Sequence, residues 1–259
     1  MDIIESFLTR NDCYKQGKKL KLEGLMLHSV ACPQPKASVF IKSWNRSGIK
    51  KCVHAFIDAK NGYVYQTLPW LMRGWHGGKK YSNDHYIGVE MCEPSSIEYT
   101  GGSSFKMKDP AHALSQIKTA YDSAVELFAF LCFKYNLKPS SICSHREGHA
   151  KGIASNHGDP EHLWRCSGFG KTMNDFRADV AREIQKQKGG DEVTQEDFNK
   201  MMNTYLEERS KEPKSDWVNA NDAAGIMHGD ADGAMRWRSF VTREEAVTMI
   251  ARAIKKEKV

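Results

Sequence analysis

Nine of the ten histidines fall between His28 and His162. The densest stretch reads Cys143-Ser144-His145-Arg146-Glu147-Gly148-His149-Ala150-Lys151-Gly152-Ile153-Ala154-Ser155-Asn156-His157-Gly158-Asp159-Pro160, with three histidines and an aspartate within 15 residues. Neutral imidazole and carboxylate are good Zn²⁺ ligands, and a catalytic zinc keeps three protein ligands and one open position. A lone surface histidine is ordinarily just solvated. A cluster on one segment is a stronger sign of metal than any of its members.

Side chains of this kind need a frame to hold them. Residues 24–30 form a short apolar run that ends near His28. Residues 54–58 and 63–68 flank Lys60-Asn61-Gly62, a good hairpin turn. Residues 85–93 contain an alternating stretch, with Ile87, Val89 and Met91 facing one way and Tyr86, Gly88, Glu90 and Cys92 the other. Leu114, Ile117, Tyr121, Val125, Phe128, Leu131 and Tyr135 recur at three- and four-residue steps, which predicts a helix over about residues 111–135. Asp109-Pro110 suits its N-cap and first turn. Residues 141–145 read as another short strand, and the histidine-rich stretch after it as a loop. A second helix is expected over about 173–186, striped by Phe176, Val180 and Ile184. The mixture predicts an α/β fold: a central mixed β-sheet flanked by helices.

The order of these features carries a family resemblance. A strand ends in His28. A hairpin follows with His54-Ala55-Phe56-Ile57-Asp58-Ala59-Lys60-Asn61-Gly62-Tyr63-Val64-Tyr65-Gln66, then Trp75-His76-Gly77-Gly78, then Asn83-Asp84-His85-Tyr86-Ile87-Gly88-Val89-Glu90. The long helix and the His145 to Asp159 stretch complete the series. Over about residues 20–186 this resembles the type 2 N-acetylmuramoyl-L-alanine amidase family, related to T7-type lysozymes and peptidoglycan-recognition proteins. The run Gly-Ile-Ala-Ser-Asn-His-Gly-Asp looks most like amidases of Firmicutes and their phages.

The resemblance implies one Zn²⁺ held by two histidines and an Asp or Cys. His28 takes the first position and Asp159 the carboxylate position. The second histidine is His145 or His149; His145 follows the strand directly, whereas His149 lies ten residues before Asp159. By the same resemblance Glu90 is the catalytic glutamate. His157 stands where the family often has a lysine that steadies the oxyanion. His54, Trp75 and His76 match groove positions and are candidates for substrate contact, with structural support the alternative for the two histidines and a core place the alternative for Trp75. The implied activity is hydrolysis of the amide between N-acetylmuramic acid and L-alanine in peptidoglycan, as a phage or prophage endolysin. A peptidoglycan-binding protein without catalysis is the alternative.

Composition bounds the rest. No stretch approaches the roughly 20 apolar residues that a membrane span needs. The N-terminus shows no basic segment followed by an apolar run, so the expectation is cytoplasmic synthesis without a secretory signal and action on the wall after release. Seven cysteines at irregular spacings, with no CxxC, argue against a disulfide framework. Residues 1–190 carry a net charge of +9 and residues 191–259 a net of −3. A basic main domain suits an anionic partner such as cell-wall polymer. No nucleic-acid-binding signature accompanies the charge, so no nucleic-acid partner is expected.

Lys188-Gly189-Gly190-Asp191-Glu192 reads as a linker. The expected organisation is a catalytic domain over 1–187, a linker over 188–193 and a small, mainly helical C-terminal region over 194–259. That region, from Asp216-Trp217 to Glu245-Ala246, is similar to one S-layer-homology repeat, which implies wall binding; a helical oligomerisation element and an inert appendage are the alternatives.

Overall fold

The structure is a computed structural model and describes residues 3–191. The C-terminal helical region expected over 194–259 lies outside the described residues. In chain order the elements are β1 (Ile3–Glu5), α1 (Asp12–Gln16), β2 (Gly24–Ser29), α2 (Ala37–Trp44), β3 (Ala55–Ile57), β4 (Val64–Gln66), α3 (Lys80–His85), β5 (Tyr86–Met91), β6 (Ile97–Gly101), β7 (Ser104–Met107), α4 (Pro110–Tyr135), β8 (Ile142–Ser144), α5 (His145–Ala150), α6 (Glu161–Ser167) and α7 (Met173–Asp191).

Six strands form one sheet in the order β1-β4-β3-β5-β2-β8. Only the β3–β4 hairpin is antiparallel; the other neighbours run parallel. The expected mixed sheet with flanking helices is what forms. Gly62, at φ 76°, makes the hairpin turn that Lys60-Asn61-Gly62 announces. Strand β2 is buried at all six positions, as befits a strand covered on both faces.

The two faces of β2 serve different ends. Leu25 and Leu27 pair in register with Ile87 and Val89 and join the large core, which also holds Ile117, Leu127 and Phe128 of α4. Met26 points the other way, into a small cluster with Cys143 and Ala154. His28 shares that second face because strand side chains alternate.

Helix α4 is the main buttress. Asp109 accepts a hydrogen bond from the His112 N–H and caps its start; Asn136, left-handed at φ 52°, ends it. Helix α7 packs along it through edge-on rings, Phe128 to Phe176 at 5.2 Å and Tyr121 to Phe176 at 5.5 Å. The α7 backbone runs on through Gly189 and Gly190 to Asp191. The first part of the segment read as a linker is therefore helical.

The histidine-rich segment differs from its expected form. His145 begins a helix rather than ending a strand, and residues 145–150 are helical rather than loop. Ser144 and Glu147 form a capping box, so the Ser-x-x-Glu spacing was the local signal for it. Similarly, His85 closes α3 and the following strand starts at Tyr86.

Candidate active site

Three neighbouring parallel strands set up the site. In β2 and β5, His28 and Glu90 are direct partners across the ladder. In β2 and β8, Leu27 pairs with Ser144, so His145 follows one step beyond the last rung. Glu90, His28 and His145 thus stand in a row at the carboxyl ends of adjacent strands, the edge where open α/β sheets bind ligands. Asp159 reaches the same point from the segment before α6. Its Oδ2 lies 3.4 Å from the Ser29 N–H.

His28, His145 and Asp159 are all buried, and their potential ligand atoms lie within 4.8 Å of one another. The Nδ1 atoms of His28 and His145 are 3.0 Å apart. Asp159 carboxylate oxygens lie 3.3 Å from the first and 3.6 Å from the second. His149 is exposed and outside this group. His157 is exposed at the mouth, its ring 4.6 Å from that of His145 and its Nδ1 4.0 Å from Asp159.

The donor set fits a small dication. The far nitrogens of both rings have other partners. His28 Nε2 lies 3.0 Å from His76 Nδ1, and His145 Nε2 lies 3.1 Å from Ser155 Oγ. His76 donates its own Nε2–H to the Tyr86 carbonyl at 2.9 Å, so its Nδ1 must accept, and His28 Nε2–H is the donor. Two Nδ1 lone pairs and a carboxylate then converge on one point, which calls for a positive charge between them. Zn²⁺–ligand bonds of about 2.0–2.1 Å in a tetrahedron put ligand atoms about 3.3 Å apart, close to the spacing here. The electrostatics agree. Burial opposes charge on His28, yet Asp159 and then Glu90 raise its pKa. Burial and the neighbouring His28 hold His145 down at about 3, so it is a neutral donor.

Glu90 is a half-buried carboxylate whose Oε2 has no hydrogen-bond partner among the described residues. Burial pushes its pKa up to about 7, with His28 pulling the other way. A carboxylate poised near neutrality is suited to exchange protons.

The groove positions divide. Trp75 is half-buried and lines an open cleft of about 550 Å³ with Lys18, Lys50 and Arg73. His54, a candidate for substrate contact, is fully buried. Its Nε2–H donates to the Met72 carbonyl at 2.7 Å and its Nδ1 accepts the Gly88 N–H at 2.9 Å. Burial pulls its pKa down to about 4, so it is a neutral frame residue with no free polar atom for a substrate. His76, also expected in the groove, likewise has both ring nitrogens engaged internally.

Several contributors gave no clear signal in the sequence. Ser155 is one. Glu93, Tyr99 and His162 form another group behind Asp159. Tyr99 Oη lies 2.6 Å from Glu93 Oε2 and 2.7 Å from His162 Nε2, and Glu93 Oε1 accepts the Ala31 N–H at 3.0 Å. This network ties β6, α6 and the end of β5 together. Burial raises the Glu93 pKa from 4.5 to about 7, the hydrogen bond from Tyr99 only partly offsetting it. Between those two values the folded chain holds a proton that the unfolded chain has lost. This contribution to stability is fullest below pH 4.5, falls as pH rises to about 7 and is level above. Glu93→Gln should therefore flatten the decline, removing about 2–3 kcal/mol of the fall in stability between pH 5 and pH 8, at roughly 1.4 kcal/mol per pH unit. Urea unfolding of both proteins at pH 5 and pH 8 checks this; parallel pH profiles would refute it.

Fold and site together define an α/β protein with a hydrolase-type centre at the carboxyl edge of its sheet. The chain belongs to the N-acetylmuramoyl-L-alanine amidase family, whose model matches residues 18–162. Among solved structures the fold is similar to the catalytic domain of XlyA, at 19% identity and a TM-score of 0.51, covering 70% of this chain and 99% of that one. A mutant endolysin from Bacillus subtilis gives 19% identity and a TM-score of 0.50 over the same shares. The Staphylococcus aureus hydrolase AmiA, in complex with its ligand, gives 16% and 0.53, covering 73% of this chain and 86% of that one. At these identities the likeness is one of fold. Among curated proteins none matches. Among the described residues no helix is long and apolar enough to cross a membrane.

Proposed function

We propose that the protein is a zinc-dependent amidase that cleaves the bond between the N-acetylmuramoyl lactyl group and L-alanine of the peptidoglycan stem, working as a phage or prophage endolysin. The observation that carries this reading is the convergence of buried His28, His145 and Asp159 beside Glu90, on strands whose register fixes their spacing. Family membership and the endolysin fold of a structural neighbour support the substrate and the setting.

His28, His145 and Asp159 would hold the metal. A zinc ion bound there would supply Lewis acidity for the scissile carbonyl and for activating water at neutral pH. Glu90 acts as general base, taking a proton from water at its unpartnered Oε2 and passing it to the leaving amine. His157, at the mouth, donates a hydrogen bond to the oxyanion as it develops. Trp75 and the basic cleft beside it offer a wall for substrate. Residues 1–187 make up the catalytic domain, and the segment beyond it serves wall attachment or assembly.

Digestion of purified peptidoglycan, followed by mass spectrometry and labelling of new termini, tests the reading. New L-alanine amino groups should appear with no new reducing sugar. Binding to walls without release of either end would favour the non-catalytic alternative. New reducing ends, or cleavage inside the stem peptide, would place the chemistry at another bond.

A further inference from the structure

We propose that the short segment of residues 75–78 is a clamp that orients both histidine donors at once, with His76 and Ser155 as positioning residues. The inference rests on the metal reading above.

The segment is itself pinned. Asn83 Oδ1 accepts the N–H groups of His76 and Gly77, at 2.8 and 2.9 Å. With the backbone fixed, the His76 ring lies over Gly88 of β5. A Cβ at position 88 would sit 2.4 Å from His76 Cγ, so only glycine admits the ring. There the ring is held from both sides: Nε2–H donates to the Tyr86 carbonyl, and Nδ1 accepts a hydrogen bond from His28 Nε2–H. This locks His28 in one tautomer, its Nδ1 lone pair turned toward His145 and Asp159.

The next residue serves the other ligand. The Gly77 carbonyl accepts the Ser155 N–H at 2.8 Å. Gly78, at φ 69°, lets the chain pass so close that a Cβ on it would lie 2.3 Å from Ser155 Oγ. Ser155 is thus held where its hydroxyl accepts from His145 Nε2, leaving the His145 Nδ1 lone pair for the site. One pinned segment thereby sets the tautomer and tilt of two imidazoles that come from distant parts of the chain. Partners of this kind typically change metal affinity 10–100-fold.

The test uses the full chain and Zn²⁺ competed against a chromophoric chelator. Ser155→Ala and His76→Leu should each bind zinc roughly 10–100-fold more weakly than the parent. His76→Asn, whose Oδ1 replaces the Nδ1 acceptor, should recover most of the affinity. Ring ¹⁵N spectra of the metal-free parent should show His28 and His145 each mainly as the Nε2–H tautomer, and His76→Leu should lose that preference at His28. Ser155→Ala deletes one hydroxyl from a half-buried site, so it carries the test even if leucine disrupts folding at 76. Parent-like affinity in Ser155→Ala, or an asparagine variant as weak as the leucine one, overturns the clamp. A parent chain that takes up no zinc overturns the metal reading and the clamp with it; a parent that binds zinc alongside unaffected variants overturns the clamp alone.

Discussion

Stripped of metal by a strong chelator, the protein should lose wall hydrolysis by at least about 10³-fold, and one equivalent of Zn²⁺ per chain should restore it. The size follows from what the residues lack by themselves. Two imidazoles and a carboxylate offer lone pairs and no Lewis acid, so several kcal/mol of charge stabilisation disappear with the ion, at 1.36 kcal/mol for each factor of ten. The same assay separates the two candidates for the second histidine. His145→Ala should abolish tight zinc binding, because its Nδ1 faces His28 Nδ1 at 3.0 Å. His149→Ala should leave it intact, since that ring is exposed and outside the cluster. Full hydrolysis by thoroughly metal-depleted protein would remove the metal from the mechanism.

Glu90→Gln should keep zinc and fold, yet lower hydrolysis by about 10²–10⁴-fold, the usual range for a general base. The substitution holds the shape and removes the proton acceptor. It also removes the burial cost of a carboxylate whose Oε2 has no internal partner, so the thermal midpoint should not fall. That combination, a dead enzyme with intact metal content and undiminished stability, separates loss of chemistry from loss of structure. A rate near that of the parent would show that another group accepts the proton.

The sequence carried the long-range plan of this fold better than its short elements. The helix at α4 was legible because its apolar positions repeat over about six turns and Asp109-Pro110 marks its start. The hairpin was legible from Asn61-Gly62. Elements such as α2, α3, α6 and the β6–β7 pair span four to eight residues, too few for a period to stand out. That His28, Glu90 and Asp159 would lie close together was legible through the order of motifs. The choice between His145 and His149 was open because it depends on where a strand stops and a helix starts, which Ser144 and Glu147 decide through their capping box. His54 and His76 were harder still. A histidine that frames a site and one that meets substrate carry the same letter in the same motif. Only the hydrogen-bond partners of both ring nitrogens tell them apart, and those partners, Met72, Gly88 and Tyr86, contribute backbone atoms that no side-chain pattern announces.

The pairing of His28 with Glu90 across neighbouring rungs has a bearing on how such a protein can change. The gap between imidazole and carboxylate is set by the ladder spacing of β2 and β5, and is indifferent to the length of chain that joins them. Parts of the connection that touch neither ligand, such as the stretch around α2, can therefore lengthen or shorten without altering that gap, whereas residues 75–83 cannot. Change at the rim can then proceed as in a replaceable part while the hearth stays as it was.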